Sequence, residues 1–398
     1  MFPPRRFFSL ILSLLFVLAP SAVEAETSEP LFRFEDSRVS MACTYTIVVY
    51  GRDERQLPLI VKAAFEEVDR IDDLMSNYKP DSPISEINRH AASQPVSTDL
   101  ELFKFLQACL QYSRESQGAF DITVGPLMKT WGFYRGEGRV PWFFELWDVR
   151  RKVGYQHVQL DAENQTVRFD RPGVELDLGG IAKGYAVDRV VELLRTFHIQ
   201  AGFVSAGGST MYGLGAPPGK TGWDVKIRDP LAPHNPNKSA ASVQLHNQAL
   251  SVSGNYEKFF EAGGKRYSHI MDPRTGRPVE GMLSVAVVTD TGTEGDALDN
   301  VLYVLGLEAS RVYLQRHQGV QAFFFLPDGE RKWKMVRLPG LPAAALSAPT
   351  VLPAMGRGAG RESVSTTRPP NHRSSGARHV RWGSGHVSPF GLDREESI

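Results

Sequence analysis

The chain reads as an α+β protein in which antiparallel strands are broken by packed helices, and three observations lead there. Short stretches such as Tyr45 to Tyr50 alternate in character and are rich in valine, isoleucine and threonine, which suit a pleated, half-buried strand. Two other stretches repeat apolar residues every three or four positions, the period of a helix with one buried face. The strand-like runs follow one another instead of alternating one for one with helices, which argues against a doubly wound parallel sheet.

With 398 residues, 42% of them hydrophobic and 23% charged, the chain can bury a large core. Lys plus Arg and Asp plus Glu both number 45, so the formal net charge is zero and nothing in the balance calls for nucleic acid or an acidic membrane. Residues 1–25 have the pattern of a secretory leader: Arg5 and Arg6, an apolar run from Phe7 to Leu18, then Pro20 and the small-residue end Val23-Glu24-Ala25. The run is short for a membrane-spanning helix and no cysteine follows it to take a lipid, so we expect cleavage after Ala25 and a soluble, exported, periplasmic protein. Cys43 and Cys109 are too few to staple a body of this size, and two free thiols are expected, with a bridge between them left open.

After the first strand, Ile60, Ala64, Val68, Ile71 and Met75 mark a helix. Thr98-Asp-Leu-Glu101 has the capping-box pattern and opens a second helix, striped by Leu102, Leu106, Cys109 and Tyr112 and closed near Gly118. The glycine- and tryptophan-rich segment from Trp131 to Trp147 is expected to be irregular surface. Strands follow at Val158 to Leu160, Val167 to Asp170 and Val174 to Leu178, then a glycine turn and a helix that buries Ile181, Tyr185, Val187, Val191 and Leu194. Beyond it we expect a strand from Phe203 to Ala206, a turn at Gly207-Gly208 and a strand from Trp223 to Arg228. A hairpin from Val243 to Val252, a strand from Leu283 to Thr289, a helix from Asp296 to Leu305 and a last hairpin turning at Pro327-Asp328-Gly329 complete the body. From about Leu338 onward Pro, Gly, Ser, Ala and Arg dominate and apolar periodicity disappears, so residues 341–398 are expected to form a disordered tail.

Three segments carry chemistry. Arg266 to Pro278 packs an imidazole, a carboxylate and a guanidinium around a bend fixed by Asp272-Pro273 and Thr275-Gly276. His269 sits just before that bend and suits acid/base or phosphate chemistry, although read alone the segment is equally a hairpin with a polar tip in which Asp272 pairs with Arg274. Asp177-Leu-Gly-Gly-Ile-Ala-Lys-Gly184 is a strand-to-helix transition whose glycines let a phosphate approach backbone N–H groups at the positive end of a helix. It has neither the P-loop nor the G-x-G-x-x-G spacing, and by itself a structural glycine turn with Lys183 solvated is the stronger reading. Gly295-Asp-Ala-Leu-Asp-Asn300 puts Asp296, Asp299 and Asn300 on one helical face, an oxygen-only set that favours Mg²⁺. In isolation, plain helix capping by Asp296 is the stronger reading.

Together and in this order, the three segments resemble the FAD:protein FMN transferase family, the ApbE-like flavin transferases. The likeness takes in Met41-Ala-Cys-Thr-Tyr45, Met75-Ser-Asn-Tyr78 followed by Asp81-Ser82, and Gly118 to Pro126 running into Trp131-Gly132. It covers about Phe32 to Leu326. The resemblance implies a T-fold-related body over residues 26–340 and a Mg²⁺-dependent transfer of FMN from FAD to a threonine hydroxyl of an acceptor protein, with release of AMP. Such an acceptor would be an exported flavoprotein or a redox-complex subunit.

By the same resemblance Met41, Tyr78, Ala119, Phe120, Asp121, Asp177, Lys183 and Ile270 fall on positions that face FAD, and Gly180, Asp296, Asp299 and Asn300 on the metal site. His269 is the candidate for the group that takes the acceptor's proton or steadies the phosphate, with a buried, hydrogen-bonded histidine that has no catalytic part as the rival reading. The chain departs from the family pattern at Asn300, where threonine is usual, at Ala42 and Cys43, where glycine and threonine are common, and at Ser205 to Ser209, where an asparagine usually precedes the glycines. Two other activities share the same residues: an FAD pyrophosphatase in which water attacks, and an exported FAD-binding protein without catalysis.

Overall fold

Alternation along its strands gives the central sheet two apolar faces, and the rest of the protein is arranged to cover them. The computed structural model describes residues 31–317 and 319–338. Its strands are β1 (Phe32–Ser40), β2 (Cys43–Gly51), β3 (Val96–Ser97), β4 (Val158–Asp161), β5 (Thr166–Phe169), β6 (Ala201–Ala206), β7 (Thr210–Leu214), β8 (Trp223–Arg228) and β9 (Ser239–Leu245). They continue as β10 (Gln248–Gly254), β11 (Phe259–Ala262), β12 (Lys265–Ser268), β13 (Met271–Asp272), β14 (Arg277–Pro278), β15 (Ser284–Thr289), β16 (Gln321–Pro327) and β17 (Trp333–Leu338). The helices are α1 (Leu57–Met75), α2 (Pro83–His90), α3 (Leu100–Glu115), α4 (Gly125–Thr130), α5 (Phe143–Arg150), α6 (Ala182–Thr196) and α7 (Gly292–Leu314).

Eight strands form one sheet in the order β1-β2-β6-β7-β10-β15-β16-β17, every neighbouring pair antiparallel. Ile47, Val49, Val285, Val287 and Phe324 point to one face, where α1, α3, α6 and α7 bury them. Val48, Ala286, Val288, Phe323 and Phe325 point to the other and pack under Trp223, Val225, Ile227 and Val243 of the β8–β9 ribbon. A third cluster around Trp131, Phe260 and Leu127 supports the loops beside the sheet. The expected α+β class with antiparallel strands is what the chain adopts.

Several local expectations are corrected. Val174 to Leu178 is not a strand: it is a coil segment whose Leu176 N–H donates to the Asn88 side chain and whose Asp177 N–H donates to the Ile122 carbonyl, both at 2.7 Å. Val243 to Val252 is not a hairpin either, because β9 pairs with β8 while β10 pairs with β7 and β15, so the intervening turn crosses from one layer to the other. The Trp131 to Trp147 segment runs into α5, which starts at Phe143, and Trp131 is buried, its indole N–H donating to the Gly276 carbonyl at 2.9 Å. α3 is capped by Asp99, not Thr98: its carboxylate accepts from Leu102 N–H at 2.7 Å. α7 starts at a Thr291 cap and kinks at Gly306, whose φ is 71°, so Asp296 lies inside the helix and is not its cap. Cys43 and Cys109 are free thiols. The leader pattern in residues 1–25 and the predicted tail at 341–398 lie outside the described residues.

Candidate active site

The site is built where the first turns of α6 and α7 cross. A Cβ on Gly184 would sit 2.2 Å from the Gly292 carbonyl oxygen, so only glycine permits this approach. The crossing is tied on both sides. Gly184 N–H donates to Asp296 Oδ2 at 2.9 Å, and the Asp188 carboxylate accepts from Gly292 N–H (2.6 Å), Thr293 N–H (2.8 Å) and the Thr293 hydroxyl (2.5 Å). Asp188 thereby satisfies donors that the start of α7 would otherwise leave open.

A cavity of about 500 Å³ opens beside this crossing. Of the predicted residues it is lined by Tyr78, Ala119, Phe120, Asp121, Asp177, Gly180, Lys183, His269, Ile270, Asp296 and Asn300. Met41 and Asp299 are not in its wall. Met41 stands behind it in a left-handed conformation (φ 49°), its sulfur accepting from the Tyr45 hydroxyl at 3.1 Å, while the adjacent Ala42 reaches the cavity. Asp299 is buried, and its Oδ1 accepts from the Ser253 hydroxyl and from Asn300 Nδ2, both at 3.0 Å. Burial and then the neighbouring charge of Asp296 push the Asp299 carboxyl well above the usual range.

His269 Nδ1 lies 3.1 Å from the Lys258 carbonyl, which also accepts the His269 backbone N–H at 3.0 Å. A carbonyl can only accept, so the ring hydrogen is on Nδ1 and Nε2 carries the lone pair. Burial, with the charges of Lys258 and Lys183, pushes the imidazole pKa down to about 3. Lys183 Nζ donates to the Gly179 carbonyl at 2.9 Å; burial opposes its charge, but Asp296 above all holds its pKa above the ordinary value. Lys258 goes the other way, lowered by burial and by Lys183.

The remaining predicted residues divide into walls and braces. Tyr78, 58% exposed, stacks on Tyr134 with centroids 4.4 Å apart and planes 7° from parallel, a flat aromatic surface of the kind a fused ring system would pack on. Ile270 is buried in the cavity wall. Asp121 is spent on its own loop: Oδ1 accepts from Thr123 N–H (2.9 Å) and hydroxyl (2.7 Å), and Oδ2 from Tyr155 N–H (2.6 Å). Asp177 Oδ1 similarly turns back to Gly179 N–H at 2.9 Å. Asp272 and Arg274 pair across the bend, at 2.9 and 3.1 Å.

Sequence reasoning missed Lys258 and the Arg228–Glu257 pair, which bonds at 3.0 Å while Arg228 also donates to the Gly207 carbonyl at 3.0 Å; Cys43, singled out only as a departure in the start motif, also lines the cavity. Burial pushes the Cys43 thiol up to about 11, so it is no nucleophile at neutral pH. No spacing signals Lys258; it meets His269 only because β11 and β12 fold back on each other.

Oxygen atoms converge on the Asn300 amide nitrogen: Gly180 O at 3.2 Å, Asp296 O at 2.9 Å and Asp299 Oδ1 at 3.0 Å. Among the described residues no group of three or more His, Cys, Asp or Glu side chains gathers as a metal site. A cation here would therefore depend on two carboxylates and neutral oxygens, a hard donor set that fits Mg²⁺.

Residues 41–324 match the family model described as the ApbE family. The chain belongs to the ApbE family. It is 31% identical over 292 residues to an FAD:protein FMN transferase of Klebsiella pneumoniae, covering 72% of this chain and 87% of that one. It is 34% identical over 286 residues to an FAD:protein FMN transferase of Treponema pallidum, covering 67% and 78%. Among solved structures, the ApbE protein of Thermotoga maritima superposes with a TM-score of 0.70 at 30% identity, covering 77% of this chain and 97% of that one. The flavin transferase ApbE of Vibrio cholerae gives 0.68 at 27% identity with the same coverage.

Proposed function

We propose that this ApbE-family protein transfers FMN from FAD to a threonine hydroxyl of an acceptor protein and releases AMP. The observation that carries the reading is one cavity in which a neutral imidazole with a free Nε2, two lysines and the buried carboxylate of Asp296 meet at a helix crossing, with Asp299 buried outside the cavity wall. The Tyr78–Tyr134 stack offers an aromatic ring a flat wall. Lys183 and Lys258 offset pyrophosphate charge. His269 Nε2 accepts the threonine proton as its oxygen bonds to the FMN phosphorus and the bond to the AMP oxygen breaks. Gly180 O, Asp296, Asp299 and Asn300 would hold Mg²⁺, which would supply charge neutralisation on the pyrophosphate. The leader pattern in residues 1–25 supports a reaction outside the cytoplasm on an exported acceptor.

The test is to incubate the protein with FAD, Mg²⁺ and a protein bearing a candidate acceptor threonine, and to follow AMP and flavin fluorescence on the denatured acceptor. AMP with retained fluorescence is expected. AMP with only free FMN reassigns the protein as a pyrophosphatase, and no AMP leaves an FAD-binding protein. Asp296→Ala should abolish AMP release in Mg²⁺; full activity in that variant would remove Asp296 from the reaction.

A further inference from the structure

Asn300 Nδ2 sits in the middle of the oxygen cradle as a donor, 3.2 Å from Gly180 O and 3.0 Å from Asp299 Oδ1, with the Asp296 carbonyl at 2.9 Å. An amide nitrogen cannot ligate a cation, because its lone pair is delocalised and its hydrogens point at the same oxygens the cation needs. The two ends of a carboxamide are nearly isosteric, so turning the group over places Oδ1 where Nδ2 now lies. Oδ1 would then face three oxygens at the 2.9, 3.0 and 3.2 Å separations now measured. Without a cation that arrangement is repulsive. With one it is close to ideal, since oxygens at 2.0–2.1 Å from Mg²⁺ on adjacent octahedral vertices lie about 2.9 Å apart.

From this we infer that Asn300 is a two-state lock on the metal cradle: nitrogen inward it satisfies the oxygens when no cation is bound, and metal binding requires the amide to turn oxygen inward. The inference rests on the metal reading of Gly180, Asp296 and Asp299 and adds to it a coupled side-chain rotation. The metal-free cradle is already hydrogen-bonded, so a cation must displace those bonds, and affinity is lower than the same oxygens would otherwise give. An aspartate at position 300 presents an oxygen in both orientations and needs no turn.

The experiment uses the full chain with asparagine side chains labelled with ¹⁵N, the Asn300 amide being assigned as the resonance absent from Asn300→Asp. Titration with millimolar Mg²⁺, without FAD, should move that resonance and lower its hydrogen-exchange protection by about tenfold or more as its three hydrogen bonds are lost. Calorimetric titration of Asn300→Asp should show Mg²⁺ bound about tenfold more tightly than by the wild type. A Mg²⁺ binding heat that Asp296→Ala removes, combined with an unmoved and still protected Asn300 amide, overturns the lock while leaving the metal site standing. Absence of Asp296-dependent Mg²⁺ binding in both wild type and Asn300→Asp overturns the metal site itself, and the lock with it.

Discussion

His269 is held neutral by position more than by its own chemistry. The Lys258 carbonyl fixes the hydrogen on Nδ1, and burial beside two lysines pushes the ring down to about 3. The free protein should therefore show an Nδ1–H tautomer for His269 unchanged between pH 7.5 and 5, read by long-range ¹⁵N–¹H NMR; a protonation step near pH 6.5 would contradict it. The sign for stability follows. A histidine whose folded pKa lies below its unfolded value binds fewer protons when folded, so its contribution is complete above about pH 6.5 and falls as pH drops toward 3. His269→Gln should lose about 1–2 kcal/mol less than wild type between pH 7 and 5 in denaturant unfolding, and should lack AMP release. At this scale the sequence was legible wherever site residues are contiguous, as in the motifs holding Asp177, Gly180 and Lys183 or Asp296 and Asn300. Lys258 was not, since nothing local distinguishes it, and Asp121 could not be read as a brace because its partner Tyr155 is 34 residues away.

At the scale of elements, long helices with one apolar face were legible and short ones were not. α1 repeats its buried residues over 19 positions, enough for a period to emerge, whereas α5 has 8 residues and turns Trp142, Phe143, Phe144 and Trp147 outward with exposures of 57–79%. A helix whose aromatics face solvent defeats a reading that assigns apolar residues to the core. The contrast predicts opposite costs: Phe143→Ser with Phe144→Ser should change unfolding free energy by under about 0.5 kcal/mol, while Phe260→Ala, deep in the cluster around Trp131, should cost about 3–5 kcal/mol. The α6–α7 crossing sets a stricter limit. A methyl on Gly184 must displace the Gly292 backbone, so Gly184→Ala should cost about 2–3 kcal/mol and shift Asp296 off its 2.9 Å bond. A variant with wild-type melting and wild-type AMP release would show that the crossing yields more easily than its contacts imply.

Across the whole molecule, the class of fold was legible because alternating strands announce themselves, but strand order was not, because pairing of β2 with β6 or β10 with β15 joins segments far apart in sequence. The site inherits that long-range order. Its wall runs from Ala42 to Val304 and takes residues from both central-helix N-termini, from loops of the sheet and from the β8–β9 ribbon, so the cavity is assembled from segments far apart in the chain. The sheet extends beyond the last wall residue, since β17 pairs with β16 through Leu338, which is buried against Ala322. The boundary of function should fall there. A chain ending at residue 340 should match the full chain in melting temperature and FAD affinity, whereas one ending at residue 330 strips β17 from β16, leaves Phe323 and Phe325 at an open edge, and should melt several degrees lower with weaker FAD binding. Ligand linkage makes the comparison quantitative: saturating FAD at about 100 times its dissociation constant should stabilise the intact body by about 2.7 kcal/mol. The 340-residue chain should retain that increment in full, and a loss of it there would place part of the binding site in residues 341–398.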